Sequence, residues 1–352
     1  VKNYKKKYYQ YDAYLNDEEV SMVREDDLPL RNRCLYCYDW LDNNQSDFHQ
    51  ACNKKFFGQL ETPLLGYNKN DLEKLAEKVL YSHQAVTGVQ AKVSLSLHRA
   101  AEKNVTKKLT IVGLYGDYIL KPPSEFYPQL PEVEHLSMYL AKVCGLQTVP
   151  HSLVRLQDGT LCYITKRVDR TRKQKLHMLD MCQVTERLTE DKYKGSHEQV
   201  AKAILKYSAN PLLDVTNFYE LVLFCYLTGN ADMHLKNFSL LEDVSMGYVL
   251  SPAYDLLSTS LVNPADTEEL ALTLNGKKRK FKYADFLSAF ENAGLHKKVL
   301  DATLTNFYYC TKEIKYHVDK SFLSNEFKDQ FKQLFTKRCV TLFKDADLKL
   351  SH

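Results

Sequence analysis

The chain has 352 residues, of which 44% are hydrophobic and 26% charged, and its formal net charge is only +4. That is enough material to bury one large core or two ordinary ones. So small a charge excess gives no electrostatic footprint of a nucleic-acid binder. Apolar runs such as Phe218–Leu227 are too short to cross a bilayer. The opening Val1-Lys2-Asn3-Tyr4-Lys5-Lys6-Lys7 has no apolar stretch behind it, as a signal peptide would. Nine cysteines, an odd number, point to a reducing cytoplasmic setting rather than a disulfide scaffold. A first residue of valine implies that the sequence continues upstream.

Residues 1–33 combine five tyrosines, Lys5-Lys6-Lys7 and the acidic clusters Asp17-Glu18-Glu19 and Glu25-Asp26-Asp27, the texture of an arm or linker. Next come Cys34, Cys37, His49 and Cys52, spaced C-x2-C-x11-H-x2-C. Four such ligands suit a structural tetrahedral Zn²⁺. The alternative is that the three cysteines are small buried apolar groups beside Trp40 and Phe48. Helical spacing follows over 71–81, with Leu72, Leu75, Ala76 and Val79 on one face. Alternation over 92–98 predicts a strand. Two further strands, 109–114 and 117–121, read as a hairpin turned at Tyr115-Gly116 and stopped by Pro122-Pro123.

Residues 132–144 form an amphipathic helix that Gly145 can end. Strands over 151–156 and 160–166 flank a turn at Asp158-Gly159. Beyond Arg170 the pattern is mostly helical, over 196–207, 215–228, 281–293 and 326–343, with short strands at 236–241 and 247–250. The fold class is therefore α+β with two lobes, a strand-rich N-lobe over 34–168 and a helical C-lobe over 169–352, with a cleft between them.

The chemistry concentrates at Gly229-Asn230-Ala231-Asp232-Met233-His234-Leu235-Lys236-Asn237-Phe238-Ser239, where a hydrophobic helix gives way to a strand. Asp232 and Asn237 have the D-x-x-x-x-N spacing of a phosphoryl-transfer loop. An Asp there can accept the proton of an incoming hydroxyl, and the Asn amide oxygen is a hard ligand for Mg²⁺. Eighteen residues on, after a hairpin, Asp255 in Ser251-Pro252-Ala253-Tyr254-Asp255-Leu256 returns a second carboxylate to the same cleft. Lys121 ends a strand of the first half, as a phosphate-gripping lysine must; the following helix offers Glu132 and Glu134, and Glu134 is the candidate ion-pair partner. Ala85-Val86-Thr87-Gly88-Val89-Gln90-Ala91-Lys92 is a small-residue turn entering a strand that can present backbone N–H groups to phosphates.

Taken in order, Thr87-Gly88-Val89-Gln90, Tyr118-Ile119-Leu120-Lys121-Pro122, Leu140-Ala141-Lys142, Lys166-Arg167-Val168-Asp169-Arg170, Gly229 to Ser239 and Ser251 to Leu256 resemble the HipA family of bacterial toxin kinases, in particular its compact HipT branch. The resemblance implies a protein-kinase-like fold, ATP and Mg²⁺. It implies Asp232 as catalytic base, Asn237 and Asp255 as metal ligands, and Lys121 as a phosphate contact. Glu134, His234, Lys236, Thr87, Gly88, Val89 and Gln90 join the ATP-binding set, and Ile164-Thr165-Lys166 looks like the adenine-binding hinge.

The same resemblance implies a serine or threonine of a protein substrate, with aminoacyl-tRNA synthetases as the family's targets. It also implies a HipB-like helix-turn-helix antitoxin that carries the DNA contact, a small HipS-like companion protein, and no membrane. Where the HipT pattern has Ser-Ile-Ser before Gly-Val-Gln, this chain has Ala85-Val86-Thr87, so self-phosphorylation in that loop falls to Thr87.

Two other readings use the same residues differently. A small-molecule phosphotransferase would share the D-x-x-x-x-N loop and the later Asp. A non-enzymatic nucleic-acid-binding module would use the Cys cluster and Lys277-Lys278-Arg279-Lys280, but leaves the spacing of Asp232, Asn237 and Asp255 without a purpose.

Overall fold

The computed structural model of the chain describes residues 33–42, 45–72, 74, 92–98, 107–112, 116–171 and 174–345. Its first half is built on an antiparallel sheet of β1 (Val93–His98), β2 (Lys108–Ile111), β3 (Tyr118–Lys121), β4 (His151–Arg155) and β5 (Leu161–Lys166), in the order β2-β1-β3-β5-β4. A short helix α1 (Gln50–Phe57) precedes the sheet. The longer α2 (Leu130–Val143) lies between β3 and β4 in sequence and packs against β4 and β5. Pro131 in its first turn, where a missing N–H costs nothing, helps start α2. Gly145 at φ +87° ends it, donating to Lys142 O at 3.0 Å. Between these ends Val133, Leu136, Met138, Leu140 and Ala141 are buried in the common core.

One expectation fails here. The strands over 109–114 and 117–121 do not pair as a hairpin, because β1 lies between β2 and β3. Gly116 shows how the chain makes that crossing. A Cβ at this position would lie 2.5 Å from Leu95 O and 2.7 Å from Leu95 N, so only glycine lets the backbone pass so close to β1.

The second half carries a small antiparallel sheet, β6 (Met178–Asp180), β7 (Ser239–Asp243) and β8 (Gly247–Leu250). Its longer helices are α3 (His197–Tyr207), α4 (Pro211–Thr228), α5 (Tyr283–Asn292), α6 (Lys297–Lys320) and α7 (Asn325–Asp345). Ser196 and Gln199 form a reciprocal capping box at the start of α3, satisfying two end donors that would otherwise lack partners. The central helix is α4, from Val215 through Phe218, Val222 and Phe224 to Leu227; it packs against α3 and α7.

One further reading needs adjusting, and two features add to the sequence patterns. The expected strand over 236–241 begins only at Ser239, because Leu235–Asn237 forms a tight 3₁₀ turn. The 24-residue α6 is an element that the sequence reading does not include. The basic run at 277–280 is partly neutralised, with Lys277 Nζ 2.7 Å from Asp285 Oδ1 and Lys278 Nζ 3.1 Å from Glu268 Oε2. Among the described residues, no helix is long and apolar enough to cross a membrane.

Candidate active site

A cleft of about 1030 Å³ gathers most of the singled-out side chains: Lys121 and Glu134 from the first half, and Asp232, His234, Asn237 and Asp255 from the second. Each is held by its own local structure. Helix α4 stops at Gly229, whose φ of +79° turns the chain out of the helix. The Thr259 hydroxyl then spans the turn, donating to Gly229 O at 3.1 Å and accepting from Ala231 N at 2.8 Å. Asn230 Oδ1 accepts from Asp232 N at 3.1 Å, a side-chain turn that fixes the Asp232 backbone. Asn237 Nδ2 donates to Asp232 O at 3.0 Å. A carbonyl can only accept, so the amide nitrogen faces it and Oδ1 turns the other way. The two ends of the D-x-x-x-x-N loop are therefore tied directly to each other.

Asp255 is placed by the segment before it. Ser251 N donates to Ser239 O at 2.9 Å, and Ala253 N to Gln147 O at 2.8 Å. The Tyr254 hydroxyl donates to Lys236 O at 3.0 Å and lies 2.6 Å from Ser239 Oγ. Asp255 itself has a φ of +60°, a left-handed conformation that costs a non-glycine residue about 1–2 kcal/mol.

Lys121 joins the two halves. Its ammonium lies 2.5 Å from Glu134 Oε1 and contacts Asp255 Oδ1 directly, with the Tyr163 ring 5.5 Å away. Burial alone would lower the Lys121 pKa, but the Asp255 and Glu134 carboxylates outweigh it and raise it. Glu134 is pushed up to about 7 by burial, with Asp255 adding to the rise and Lys121 opposing it. For Asp255, burial is overcome by Lys121 and Lys92, which hold its carboxyl well below the usual range. Lys121 and Lys92 thus favour the charged form of Asp255, while burial favours the neutral form of Glu134.

Several participants were not among the sequence candidates. Lys92 Nζ lies 3.5 Å from Asp255 Oδ2. The Tyr193 hydroxyl donates to Asp232 Oδ1 at 2.5 Å, and its ring stands edge-on to His234 at 5.0 Å. Lys236 Nζ is engaged by Asp180 Oδ2 at 2.6 Å. Tyr193, Asp180 and Thr259 stand outside any spacing motif, so only the folded chain reveals them. Lys92 ends the Ala85–Lys92 segment, and its position beside a known loop was a signal that could have found it.

The hinge candidates divide. Thr165 and Lys166 line the cleft, whereas the Ile164 side chain is fully buried in β5 and does not. Asp169 closes the same edge in a double contact with Arg167, at 2.9 and 2.8 Å, and a 2.6 Å contact with Arg170. Thr87, Gly88, Val89 and Gln90 lie outside the described residues. Cys34, Cys37, His49 and Cys52 come together in a separate cluster that does not line the cleft.

Residues 84–313, well over half of the chain, match the family model of the HipA-like C-terminal domain. The chain belongs to that family. Its relatives agree with this HipA-like membership. A Haemophilus influenzae protein named "Putative kinase" is 27% identical over 288 residues, which are 73% of this chain and 81% of that protein. The serine/threonine-protein kinase toxin HipA of Shewanella oneidensis is 28% identical over 204 residues, 51% of this chain, and the match spans only 46% of the toxin.

Solved structures show the HipA-like fold. The chain resembles the HipA of a Shewanella oneidensis complex with HipB and operator DNA, with a TM-score of 0.63 at 21% identity over 77% of this chain and 72% of that one. It also resembles the Helicobacter pylori proinflammatory kinase CtkA, with a TM-score of 0.51 at 17% identity over 74% of this chain and 98% of that one. The fold is thus kinase-like, with a sheet-based first half and a helical second half.

Proposed function

We propose that the chain is an ATP-dependent serine/threonine protein kinase of the compact HipT type, the toxin of a bacterial toxin-antitoxin pair working in the cytoplasm. One observation carries the reading: Lys121, Glu134, Asp232, Asn237 and Asp255, drawn from both halves of the molecule, line a single cleft. This is the donor and acceptor set that phosphoryl transfer needs. The buried His234 Nδ1 has no hydrogen-bond partner among the described residues, which leaves a polar atom in the cleft for a ligand.

In this reading Lys121, held by Glu134, grips the phosphates of ATP, with His234 and Lys236 beside it. Thr165 and Lys166 border the adenine end. Asp232 takes the proton from the attacking serine or threonine hydroxyl. Asn237 Oδ1 and the Asp255 carboxylate would hold Mg²⁺, which when bound neutralises charge on the phosphate oxygens. The segment Thr87-Gly88-Val89-Gln90 would cover the phosphates. A phosphate on Thr87, carrying about −2 charge, could not share that cradle with those of ATP.

An aminoacyl-tRNA synthetase is the proposed substrate, and a HipB-like antitoxin and a HipS-like small protein the proposed partners, with DNA touched through the antitoxin. The test is incubation with ATP and Mg²⁺ alongside a panel of synthetases, followed by phosphopeptide mapping. A phosphorylated serine or threonine on one of them, together with modified Thr87, is the expected result. Phosphate found only on small-molecule acceptors would replace the protein-kinase reading.

A further inference from the structure

We propose that Cys34, Cys37, His49 and Cys52 hold a structural zinc ion that braces the back of α2. The four ligand atoms, three Sγ and one imidazole nitrogen, all lie within 4.8 Å of one another. His49 Nδ1 is 3.5 Å from Cys37 Sγ and 3.8 Å from Cys52 Sγ. Around a tetrahedral zinc, with Zn–S of ~2.3 Å and Zn–N of ~2.05 Å, the S···N edge is about 3.6 Å. The two edges from His49 to Cys37 and Cys52 already match it.

The surrounding structure is arranged for a metal rather than for apolar packing. His49 Nε2 lies 2.9 Å from Trp40 O, so that nitrogen carries the proton and Nδ1 is left as a lone-pair donor facing the thiols. This outer contact also explains why His49, the N-cap of α1, makes no side-chain cap bond. Cys52, three residues along, projects from the same face of the first turn. Cys34 and Cys37 belong to a turn closed by Tyr38 N donating to Cys34 O at 2.9 Å, with Tyr38 at a φ of +67°. Small buried apolar groups would not need this alignment, and Cys37 and Cys52 are only partly buried. A disulfide would leave one of three adjacent thiols over.

What the cluster fastens is specific. Leu35 O accepts from Leu153 N of β4 at 3.1 Å. The Tyr139 hydroxyl of α2 donates to Cys37 O at 3.3 Å, and the Tyr38 hydroxyl lies 2.6 Å from His135 Nδ1, also on α2. Arg33 Nη1 donates to Lys320 O, at the end of α6, at 2.8 Å. The knuckle therefore ties the sheet, α2 and α6 together, and His135 is the immediate neighbour of Glu134. The inference rests on geometry outside the cleft and stands apart from the kinase reading.

The test is elemental analysis of the full chain, purified without a metal-affinity tag from zinc-supplemented cells, with cobalt exchange as a second readout. Expected are about one zinc per chain, retention in Cys310→Ser, and loss in the Cys37→Ser, Cys52→Ser double variant. Cobalt loaded into zinc-stripped wild type should give the intense absorption of a tetrahedral thiolate site, and stripping should lower the melting temperature. Wild-type protein with neither zinc nor the cobalt–thiolate band would overturn the proposal. So would equal zinc in the wild type and the double variant.

Discussion

The Tyr193 hydroxyl donates to Asp232 Oδ1 at 2.5 Å, taking up an acceptor on the carboxylate that a substrate hydroxyl would need. Tyr193 is well exposed, with 42% of its surface accessible, so it can leave without disrupting a core. A part-exposed hydrogen bond to a charged group is worth ~1 kcal/mol net. Tyr193→Phe is expected to lower the KM for the phosphate acceptor about fivefold, with the KM for ATP unchanged. Steady-state kinetics in which the acceptor KM rises would instead make the hydroxyl part of substrate binding.

Glu134 gives a second prediction. Replacing it by Gln keeps the volume but leaves Lys121 to Asp255 alone. The KM for ATP should rise about tenfold, equivalent to ~1.4 kcal/mol. Thermal stability should fall only modestly, because the buried Lys121 ammonium keeps the Asp255 carboxylate as its partner. ATP titration and melting curves check both parts; an unchanged KM would remove Glu134 from the positioning of Lys121.

Stability against pH depends on buried imidazoles remote from the cleft. Burial pushes His197 down to about 3 and His151 to about 4, against an ordinary 6.5. Below that ordinary value the unfolded chain takes up protons that the folded chain refuses. Their contribution is therefore full above about pH 6.5 and is lost as pH falls toward these depressed values. The His197 ring packs against Phe218 and Phe238, and neither of its nitrogens has a hydrogen-bond partner among the described residues. His197→Leu should flatten the acid limb by about one proton, roughly 1.4 kcal/mol per pH unit. Denaturant unfolding from pH 7 to 4.5 reads this directly, and parallel curves for variant and wild type would contradict it.

Gly116 and Gly66 form a matched pair. A methyl group on Gly116 meets the Leu95 backbone, which cannot yield, whereas one on Gly66 finds nothing nearer than Gln157 Nε2 at 3.8 Å. Gly116→Ala should destabilise by about 2 kcal/mol or more and weaken ATP binding, since β1 and β3 are pushed apart just before Lys121. Gly66→Ala should be close to neutral. Equal stabilities would mean that the crossing over β1 is looser than described.

The crossing also shows where sequence reasoning stops. Residues 109–114 and 117–121 are consecutive strand patterns, and adjacency favours a hairpin. The insertion of β1 between them depends on a long-range approach that Gly116 permits but does not announce. Helix α6, by contrast, was legible: its buried Leu300, Leu304, Phe307, Ile314 and Val318 recur at helical spacing and could have found it. Helix α2 could likewise be read from its periodicity and glycine stop, and α4 from its continuous apolar run ending at Gly229. The spacing of Asp232, Asn237 and Asp255 was visible because a loop and a hairpin set it locally. Tyr193 and Asp180 reach the cleft only through the fold, so no spacing could point to them, whereas Lys92 directly follows the Ala85–Ala91 turn and could have been found there.

The central claim is that Asp232 acts as the base in phosphoryl transfer. The direct measurement is incorporation of labelled phosphate from ATP into protein, by wild type and by Asp232→Asn, with ATP binding measured on both by calorimetry. Loss of a positioned base costs about 10²–10⁴-fold in rate. The expected result is a labelled acceptor with wild type, a fall of that size with the variant, and ATP affinities within about threefold of each other. Label transfer by Asp232→Asn at the wild-type rate, or a wild-type chain that binds ATP but transfers no phosphate, would contradict it.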